Sequence, residues 1–298
     1  MNPRRVREIS KSDWVFTAFL QAFMWFWALV IAYPLIYIVS ASFSSPEAVS
    51  SGAVWLWPVE PTLRGYESIF QNRQLMNGFI NSFFYTTVGT VISVTLTILL
   101  AFPLSRQQMV GKNVFTWMLV FTMLFSGGLI PTYMVVKGLG MLDTFWAIVL
   151  PSAIGAWNVF IARSYFRSLP EELYEAATID GIDDLGHFVK IVLPLSAPII
   201  AVISLFAGVH LWNGYYGALI YLSNDELYPL QLVLRAILVM GNIDPATVTD
   251  PEALTRLAGL SDLLKYAVIV VASVPVLLFY PLIQRYFVRG MMVGSIKG

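Results

Sequence analysis

The 298-residue sequence contains no cysteine and few charged residues. Without cysteine the chain can form no disulfide, and it offers no thiol nucleophile or thiolate metal ligand. Only 12% of its residues are charged, about half of the roughly 25% that is usual in soluble domains. Its 18 basic and 18 acidic residues leave no net charge that would favour nucleic acid. The two histidines, His187 and His210, lie too far apart in sequence for a metal site and are expected to be structural or solvated.

The sequence also lacks the glycine-rich loop G-x-x-x-x-G-K-[ST] with which many ATPases hold phosphate. Gly111-Lys112 is followed by Asn113, and Arg106 stands where the first glycine of that loop would be. No nucleophile–base pair and no pair of carboxylates stands out in the apolar stretches. The sequence therefore predicts a chain with no catalytic residues, no metal and no cofactor of its own.

The sequence is rich in apolar residues, which form long runs: 57% of the residues are hydrophobic and 14% are aromatic. A membrane-spanning helix needs roughly 20 mostly apolar residues. The sequence predicts an all-α, multi-pass membrane protein with six spans, at residues 14–41, 80–104, 114–136, 143–163, 195–222 and 266–288. The first run is far longer than the apolar core of a signal peptide, so we expect an uncleaved first span.

The distribution of lysine and arginine between the predicted spans indicates the orientation of the chain. With the N-terminus inside, the cytoplasmic segments carry about twice as many of these residues as the external ones. The sequence thus predicts one transmembrane domain over residues 1–298, with cytoplasmic tails at 1–13 and 289–298 and a cytoplasmic loop at 164–194. The external loops, 42–79 and 223–265, either contact an external partner or lie at the membrane interface, anchored by aromatics such as Trp55 and Trp57.

The most informative segment is the cytoplasmic loop. Ser168 and Glu171 fit a capping box, and Pro170 suits the first helical turn. The helix that follows is expected to place Leu169, Leu173, Ala176 and Ala177 on one face. Asp180-Gly181 is expected to end it, with Gly181 in a left-handed conformation, and Asp183 to begin a second short helix. A short amphipathic helix with small side chains between two spans predicts docking into a groove of another protein.

The residues Glu175-Ala176-Ala177, then Gly181 after three residues, then Ile191-Val192-Leu193-Pro194 after nine more, resemble the EAA signature of type I ABC importer permeases. The resemblance implies that this loop is the coupling helix, which sits in a cleft of a cytoplasmic ATPase. It implies that Glu175 is a polar contact to the ATPase, that Ala176 and Ala177 pack closely, and that Gly181 makes the turn. Leu173 and Asp180 are expected to belong to the same coupling surface.

Other stretches resemble the carbohydrate branch of this family: residues 125–131 through Pro151, Trp212-Asn213, and the tail 284–298. The resemblance implies a bacterial cytoplasmic-membrane permease for a sugar or oligosaccharide. Its expected partners are membrane lipid, a second homologous permease, two ATPase subunits that bind ATP and Mg²⁺, and an extracytoplasmic solute-binding protein. No nucleic-acid partner is expected.

Polar and aromatic side chains within spans are candidates for the substrate path because burying them in lipid is costly. Aromatic faces stack on sugar rings, and amides bond to sugar hydroxyls. The candidates are Asn81, Asn158, His210, Trp212, Asn213, Tyr215 and Tyr216. For each of them, hydrogen bonding or packing between helices is the alternative.

Three other functions remain open at this point. A same-fold importer could carry a peptide or a lipid-linked group instead of a sugar, because substrate choice varies within one fold. An ion-coupled secondary transporter would need carboxylates buried within spans, and no convincing one is found in the sequence. A membrane enzyme would need the catalytic constellation that the sequence lacks.

Overall fold

The computed structural model of the chain describes residues 11–240, 263–279 and 281, and this part of the chain is helical without any strand. The predicted all-α class is confirmed. In chain order the helices are α1 (Lys11–Ser42), α2 (Pro46–Ser50), α3 (Arg64–Gln71), α4 (Arg73–Ser105), α5 (Lys112–Leu124), α6 (Leu129–Gly138), α7 (Phe145–Ser152), α8 (Ala156–Ser168), α9 (Glu172–Ile179), α10 (Asp184–Leu195), α11 (Ala197–Trp212), α12 (Tyr216–Tyr221), α13 (Leu230–Met240) and α14 (Leu263–Phe279).

Two helices are long and apolar enough to cross a membrane unbroken, and they correspond to the first two predicted spans. They run over Asp13–Ser42, within α1, and over Arg73–Ser105, which is α4. Helix α4 begins earlier than predicted because the side chain of Asn72 caps it, accepting a hydrogen bond from the Leu75 amide.

The next three predicted spans, 114–136, 143–163 and 195–222, do not consist of single straight helices. Helices α5 and α6 bend by 117°, α7 and α8 by 54°, and α10 and α11 by 77°. Gly128, at φ 82°, precedes α6 at the first of these bends, and Gly214 lies in the separate break between α11 and α12. By length and composition the described residues hold up to five spans if each bent pair counts as one.

The predicted sixth span is described only in part. Helix α14 is a shorter apolar helix over Leu263–Phe279, and most of residues 280–288 lie outside the described part of the chain. The same holds for residues 1–10 and for the tail 289–298. It holds also for residues 241–262 of the predicted external loop 223–265.

By its internal contacts the chain divides into two compact units, and the first comprises Met1–Ile69 and Gly241–Val270. Within this unit the apolar window of α1 has no buried residue, which suits a helix that faces lipid. A small core forms where α1 ends, from Ala41, Ala48, Val49 and Val54, with Tyr37 and Tyr266 packed against it. Trp55 and Trp57, which the sequence offers as interfacial anchors, are exposed by 70% and 81%.

The second unit comprises Phe70–Met240 and Val271–Gly298, and its helices pack around α4. Helices α8, α11 and α13 all contact α4. The main core joins α4 to α8, α10 and α11, and it consists of Val94, Ile98, Ala101, Leu104, Val159, Ala162, Phe166, Phe188, Val192, Ile199 and Ile203. This unit contains every residue of the predicted coupling helix and substrate path.

Glycine lets α4 approach its neighbours closely at two places. A Cβ atom on Gly78 would stand 3.2 Å from the Leu230 Cα and 3.3 Å from the Leu230 amide nitrogen, both backbone atoms of α13. A Cβ atom on Gly89 would stand 2.8 Å from Leu211 Cδ1 of α11. Small residues at such crossings are typical of membrane helices, whose association depends on packing rather than on hydrophobic burial.

Replacing Gly78 with valine should destabilise the protein. The larger side chain has to displace the backbone of α13, and overpacking of this kind costs about 1–3 kcal/mol. The matched control is Gly138→Val in α6, because Gly138 has no heavy atom within 4 Å of a built Cβ. Thermal unfolding of the purified protein in detergent should show a lower midpoint for Gly78→Val than for Gly138→Val. Equal midpoints would contradict the close approach of α4 and α13.

Candidate functional site

The segment that carries the EAA pattern forms α9 and the start of α10, but α9 begins later than the sequence predicts. Ser168 is the last residue of α8, and its hydroxyl donates to the Tyr165 carbonyl rather than capping α9. Glu171 occupies the N-cap position without a side-chain cap. The predicted capping box is therefore wrong. Its failure follows from Pro170, which pushes the preceding Leu169 into an extended conformation, so that α8 ends where the box would start.

The end of α9 is as predicted. Gly181 has φ +74°, and its amide donates to the Thr178 carbonyl while the Ile182 amide donates to the Ala177 carbonyl. This pair of bonds is a Schellman motif, which requires a left-handed residue after the helix. The carboxylate of Asp183 then accepts from the Gly186 amide and caps α10, as predicted. The turn between the two helices is therefore fixed by backbone geometry.

The predicted apolar face of α9 is only partly correct. Leu169 lies outside the helix, Ala177 is buried at 3% exposure, and Ala176 is exposed. Tyr174, rather than Leu173, turns inward beside Ala177. The outward side of the segment presents Leu173, Glu175, Ala176, Ile179 and Asp180, and Ile179 is 86% exposed. Five of the six predicted coupling residues, including Gly181, are thus accessible to a partner.

A contact that the sequence did not predict holds this segment to α4. Arg106, the residue that follows α4, lies over the Tyr174 ring with its guanidinium carbon 3.9 Å from the centroid. The same guanidinium is 3.0 Å from His187 Nδ1 and 5.1 Å from the centre of the Phe102 ring. The His187 ring meets Tyr174 edge-on at 5.2 Å. We call Arg106, Tyr174 and His187 the Arg106 clamp.

The clamp requires a neutral His187. Arginine can only donate, so His187 Nδ1 accepts the hydrogen bond from Arg106 and the ring proton stays on Nε2. His187 is buried at 4% exposure. Burial lowers the pKa of His187 below its ordinary value of 6.5, and the Arg106 charge lowers it further, whereas Asp184 opposes the shift. The histidine expected to be structural is therefore a structural link between α10 and the end of α4.

The predicted substrate-path residues lie in different places within the second unit. Asn158 and His210 line one cavity of about 360 Å³ between α4, α7, α8 and α11. Ser93 and Ser152 also line it, and the sequence analysis did not single them out. This cavity offers an amide, an imidazole and two hydroxyls, which suits hydrogen bonding to a polar solute.

The candidates near the end of α11 differ in their exposure. Trp212 is buried at 4% exposure, and its indole Nε1 donates to the Ala272 carbonyl at 3.0 Å. Burial and this hydrogen bond hold its ring in place. It borders a mostly apolar cavity of about 270 Å³ together with residues of α4 and α14. Asn213 ends α11 and is exposed. Tyr215 and Tyr216 are accessible, and the Arg235 guanidinium lies 5.4 Å from the Tyr215 ring centre.

Asn81 has local partners that account for its amide. Its Nδ2 donates to the Glu226 carbonyl at 2.7 Å and to the Tyr228 carbonyl at 3.1 Å. Tyr85 donates to the Leu227 carbonyl, and the Ser82 hydroxyl accepts from the Leu230 amide. Together these side chains of α4 anchor the turn that leads into α13. Asn81 thus makes the hydrogen bonds between helices that the sequence offered as the alternative to substrate contact.

Acidification should loosen the Arg106 clamp. Because the pKa of His187 is lower in the folded clamp than after opening, the opened state binds more protons below about pH 6.5, and the clamp is weakened as the pH falls through that region. Hydrogen exchange of residues 172–182, corrected for its intrinsic pH dependence, should accelerate between pH 7.5 and 5.5. His187→Asn keeps an acceptor for Arg106 but cannot titrate there, so its corrected exchange should stay flat. A flat wild-type profile would contradict the prediction.

Comparison with known proteins places the whole chain in one group. Residues 109–293 match the family described as "Binding-protein-dependent transport system inner membrane component". The polygalacturonan/rhamnogalacturonan transport system permease protein YtcP of Bacillus subtilis (strain 168) is 42% identical over 95% of this chain and 99% of its own length. Protein LplC of the same organism is 39% identical over 89% of each chain.

A solved structure extends the likeness to three dimensions. A chain from the crystal structure of a bacterial ABC transporter involved in the import of the acidic polysaccharide alginate superposes with a TM-score of 0.86 at 34% identity. The match covers 93% of this chain and 98% of that one. The EAA pattern, the helical fold and these matches agree, and the chain belongs to the family of binding-protein-dependent transport system inner membrane components.

Proposed function

We propose that the chain forms half of the path by which an oligosaccharide enters a bacterial cell. A second, homologous permease supplies the other half, two ATPase subunits bind ATP and Mg²⁺ on the cytoplasmic side, and an extracytoplasmic binding protein delivers the solute. The observation that carries the proposal is the α9 segment: an accessible EAA helix with a rigid glycine turn, tied to the long helix α4 by Arg106. Both chain termini and the loop 164–194 are cytoplasmic in this arrangement.

The geometry of α9 supports a role in transmitting force from the ATPase. Glu175, Ala176 and Ile179 face outward, where a groove of the ATPase can receive them, while Ala177 and Tyr174 face the bundle. A displacement of α9 is passed to α4 through the stacked Arg106 and to α11 through α10. ATP-driven closure of the ATPase pair would in this way turn the path outward, and hydrolysis would return it inward.

An oligosaccharide is the favoured solute on two grounds. The names of YtcP and of the structurally similar transporter refer to polygalacturonan, rhamnogalacturonan and alginate, all of which are polysaccharides. The cavity lined by Ser93, Ser152, Asn158 and His210 supplies hydroxyl, amide and imidazole groups that can bond to sugar hydroxyls. Fragments that carry uronic acids are the first ligands to test. Tyr215 and Tyr216 offer accessible aromatic faces for stacking on sugar rings.

The turn after α9 gives a first test. In Gly181→Val the side chain has free space, but the left-handed backbone costs about 1–2 kcal/mol. We expect Gly181→Val to distort the turn and to reduce binding-protein-stimulated ATP hydrolysis by at least tenfold in the assembled transporter. Gly181→Asn is the matched control, since asparagine tolerates this conformation better, and it should retain most of the activity. Full activity in Gly181→Val would rule out a strict requirement for the turn.

The outward carboxylate gives a second test. Glu175 is exposed, so Glu175→Lys should fold normally and reach the membrane. Reversing a charge at a contact with the ATPase should release the ATPase from the membrane fraction and abolish uptake. Glu172→Lys makes the same charge change in the first turn of α9 and serves as the control. If both variants retain the ATPase equally well, Glu175 is not a specific contact.

Uptake measurements test the solute. A strain without the chain should lose uptake of the oligosaccharide that its cognate binding protein holds, and plasmid-borne wild-type chain should restore it. Defined oligogalacturonides, alginate oligomers, neutral oligosaccharides and peptides should be compared in binding assays with that protein. Binding of peptides alone would overturn the carbohydrate assignment while leaving the importer intact.

A further inference from the structure

Three cations meet where α5 begins and α8 ends. Arg163 and Arg167 are one turn apart on α8, and Arg163 Nη1 donates to Thr116 Oγ1 of α5 at 3.2 Å. Thr116 in turn donates to the Lys112 carbonyl at 2.8 Å, which places Lys112 one turn away on α5. Lys112, Arg163 and Arg167 form what we call the basic seam.

Within the part of the chain that the structure describes, no carboxylate lies within 4.0 Å of a cation of the basic seam. The ion pair that the described residues do form, Arg73–Glu226, joins two side chains outside the basic seam. Like charges one helical turn apart repel each other, so Arg163 and Arg167 destabilise α8 unless an anion lies between or beside them. Arg163 Nε is buried and has no hydrogen-bond partner in the structure, although its neighbour Nη1 does. A buried donor of a charged group without an acceptor is costly.

The surroundings of the seam indicate where an anion would come from. Helix α5 has no buried residue, and its apolar side chains Val114, Trp117 and Phe121 are 60% exposed or more. This exposure suits a helix that faces lipid, and Trp117 lies a little more than one turn beyond Lys112, as an aromatic residue near a membrane interface would. Gly111, the N-cap residue of α5, provides no side-chain cap, and the first turn of α5 holds no acidic residue. These features suit a seam at the headgroup level of the bilayer.

We propose that the basic seam binds a phosphate-bearing anion, with Arg163 and Arg167 as donors and Lys112 as a third charge. Arginine forks match phosphate oxygens in pairs, and basic pockets between membrane helices on the cytoplasmic side suit anionic headgroups. The lipid-facing position of α5 favours the phosphodiester of an anionic lipid, and free inorganic phosphate is the other source of the same chemistry. A bound phosphate neutralises the repulsion on α8 close to where the coupling loop begins.

Native mass spectrometry of the assembled transporter tests the proposal. The probe is phosphatidylglycerol, titrated against phosphatidylcholine, with the number of retained lipids as the readout. Wild type should retain phosphatidylglycerol selectively. Arg167→Gln should weaken that retention about fivefold, and Lys112→Gln combined with Arg167→Gln about 25-fold, since each surface cation contributes about a fivefold factor. Arg167→Lys, which keeps the charge, should restore part of it.

Controls separate the site from general charge and from misfolding. Lys137→Gln removes an exposed cation at the end of α6 and should leave retention unchanged. In phosphatidylcholine alone the unfolding midpoint of Arg167→Gln should be no lower than that of wild type, because the side chain is exposed and its removal relieves the repulsion on α8. A parallel titration with inorganic phosphate in detergent identifies the source. If only inorganic phosphate raises the unfolding midpoint, the site exists and its ligand is free phosphate. Selective retention of phosphatidylglycerol identifies the lipid as the ligand.

Two results would overturn the proposal. In the first, Arg167→Gln and the double variant retain phosphatidylglycerol as wild type does, and phosphate raises their unfolding midpoints as much as it raises that of wild type. In the second, a carboxylate of another subunit pairs with Arg167 in the assembled transporter and covers the seam. Cross-linking of the Arg167→Lys variant to acidic groups would reveal this pairing. Neither outcome would affect the proposed import function, which rests on α9 and on the family.

Discussion

Close packing against α4 is the constraint on which the second unit depends. Because lipid is itself apolar, apolar side chains gain no hydrophobic free energy when they pack on one another. Membrane helices therefore associate through close packing and a few polar contacts. Helix α4 meets both requirements. Gly78 and Gly89 let α13 and α11 approach its backbone, and Asn81, Ser82 and Tyr85 bond to the turn that leads into α13. The element that spans the bilayer is thus also the element that fixes its neighbours.

The same helix ends at the coupling segment. Arg106 leaves α4 in an extended conformation, and its guanidinium then joins Tyr174 of α9 to His187 of α10. A guanidinium suits this position better than an ammonium would, because it stacks on an aromatic face and donates in its own plane at the same time. The neutral histidine accepts without adding a second charge to a buried place. One arginine therefore connects the packed bundle to the part of the chain that faces the ATPase in the proposed importer.

The sequence could predict what is local. Hydropathy identified α1 and α4, Gly181 and Asp183 identified the end of α9 and the start of α10, and the EAA spacing indicated the family. Hydropathy could not predict the bends, because a window measures how long an apolar run is and not which direction it takes. The Arg106 clamp could not be predicted from the sequence, for a related reason. Arg106 and His187 are 81 residues apart, and no local pattern connects them.

The polar residues show where sequence reasoning stops. Asn81 and Trp212 attract attention because each is a polar or hydrogen-bonding side chain in an apolar run, yet each has a carbonyl partner across a helix interface. Asn158 and His210 attract attention for the same reason and instead line a common cavity with Ser93 and Ser152. Polarity in a membrane helix indicates that a side chain has a partner. Only the packing of the helices decides whether that partner is the protein itself or leaves room for a solute, and Asn158 and His210, beside a cavity, meet the second condition.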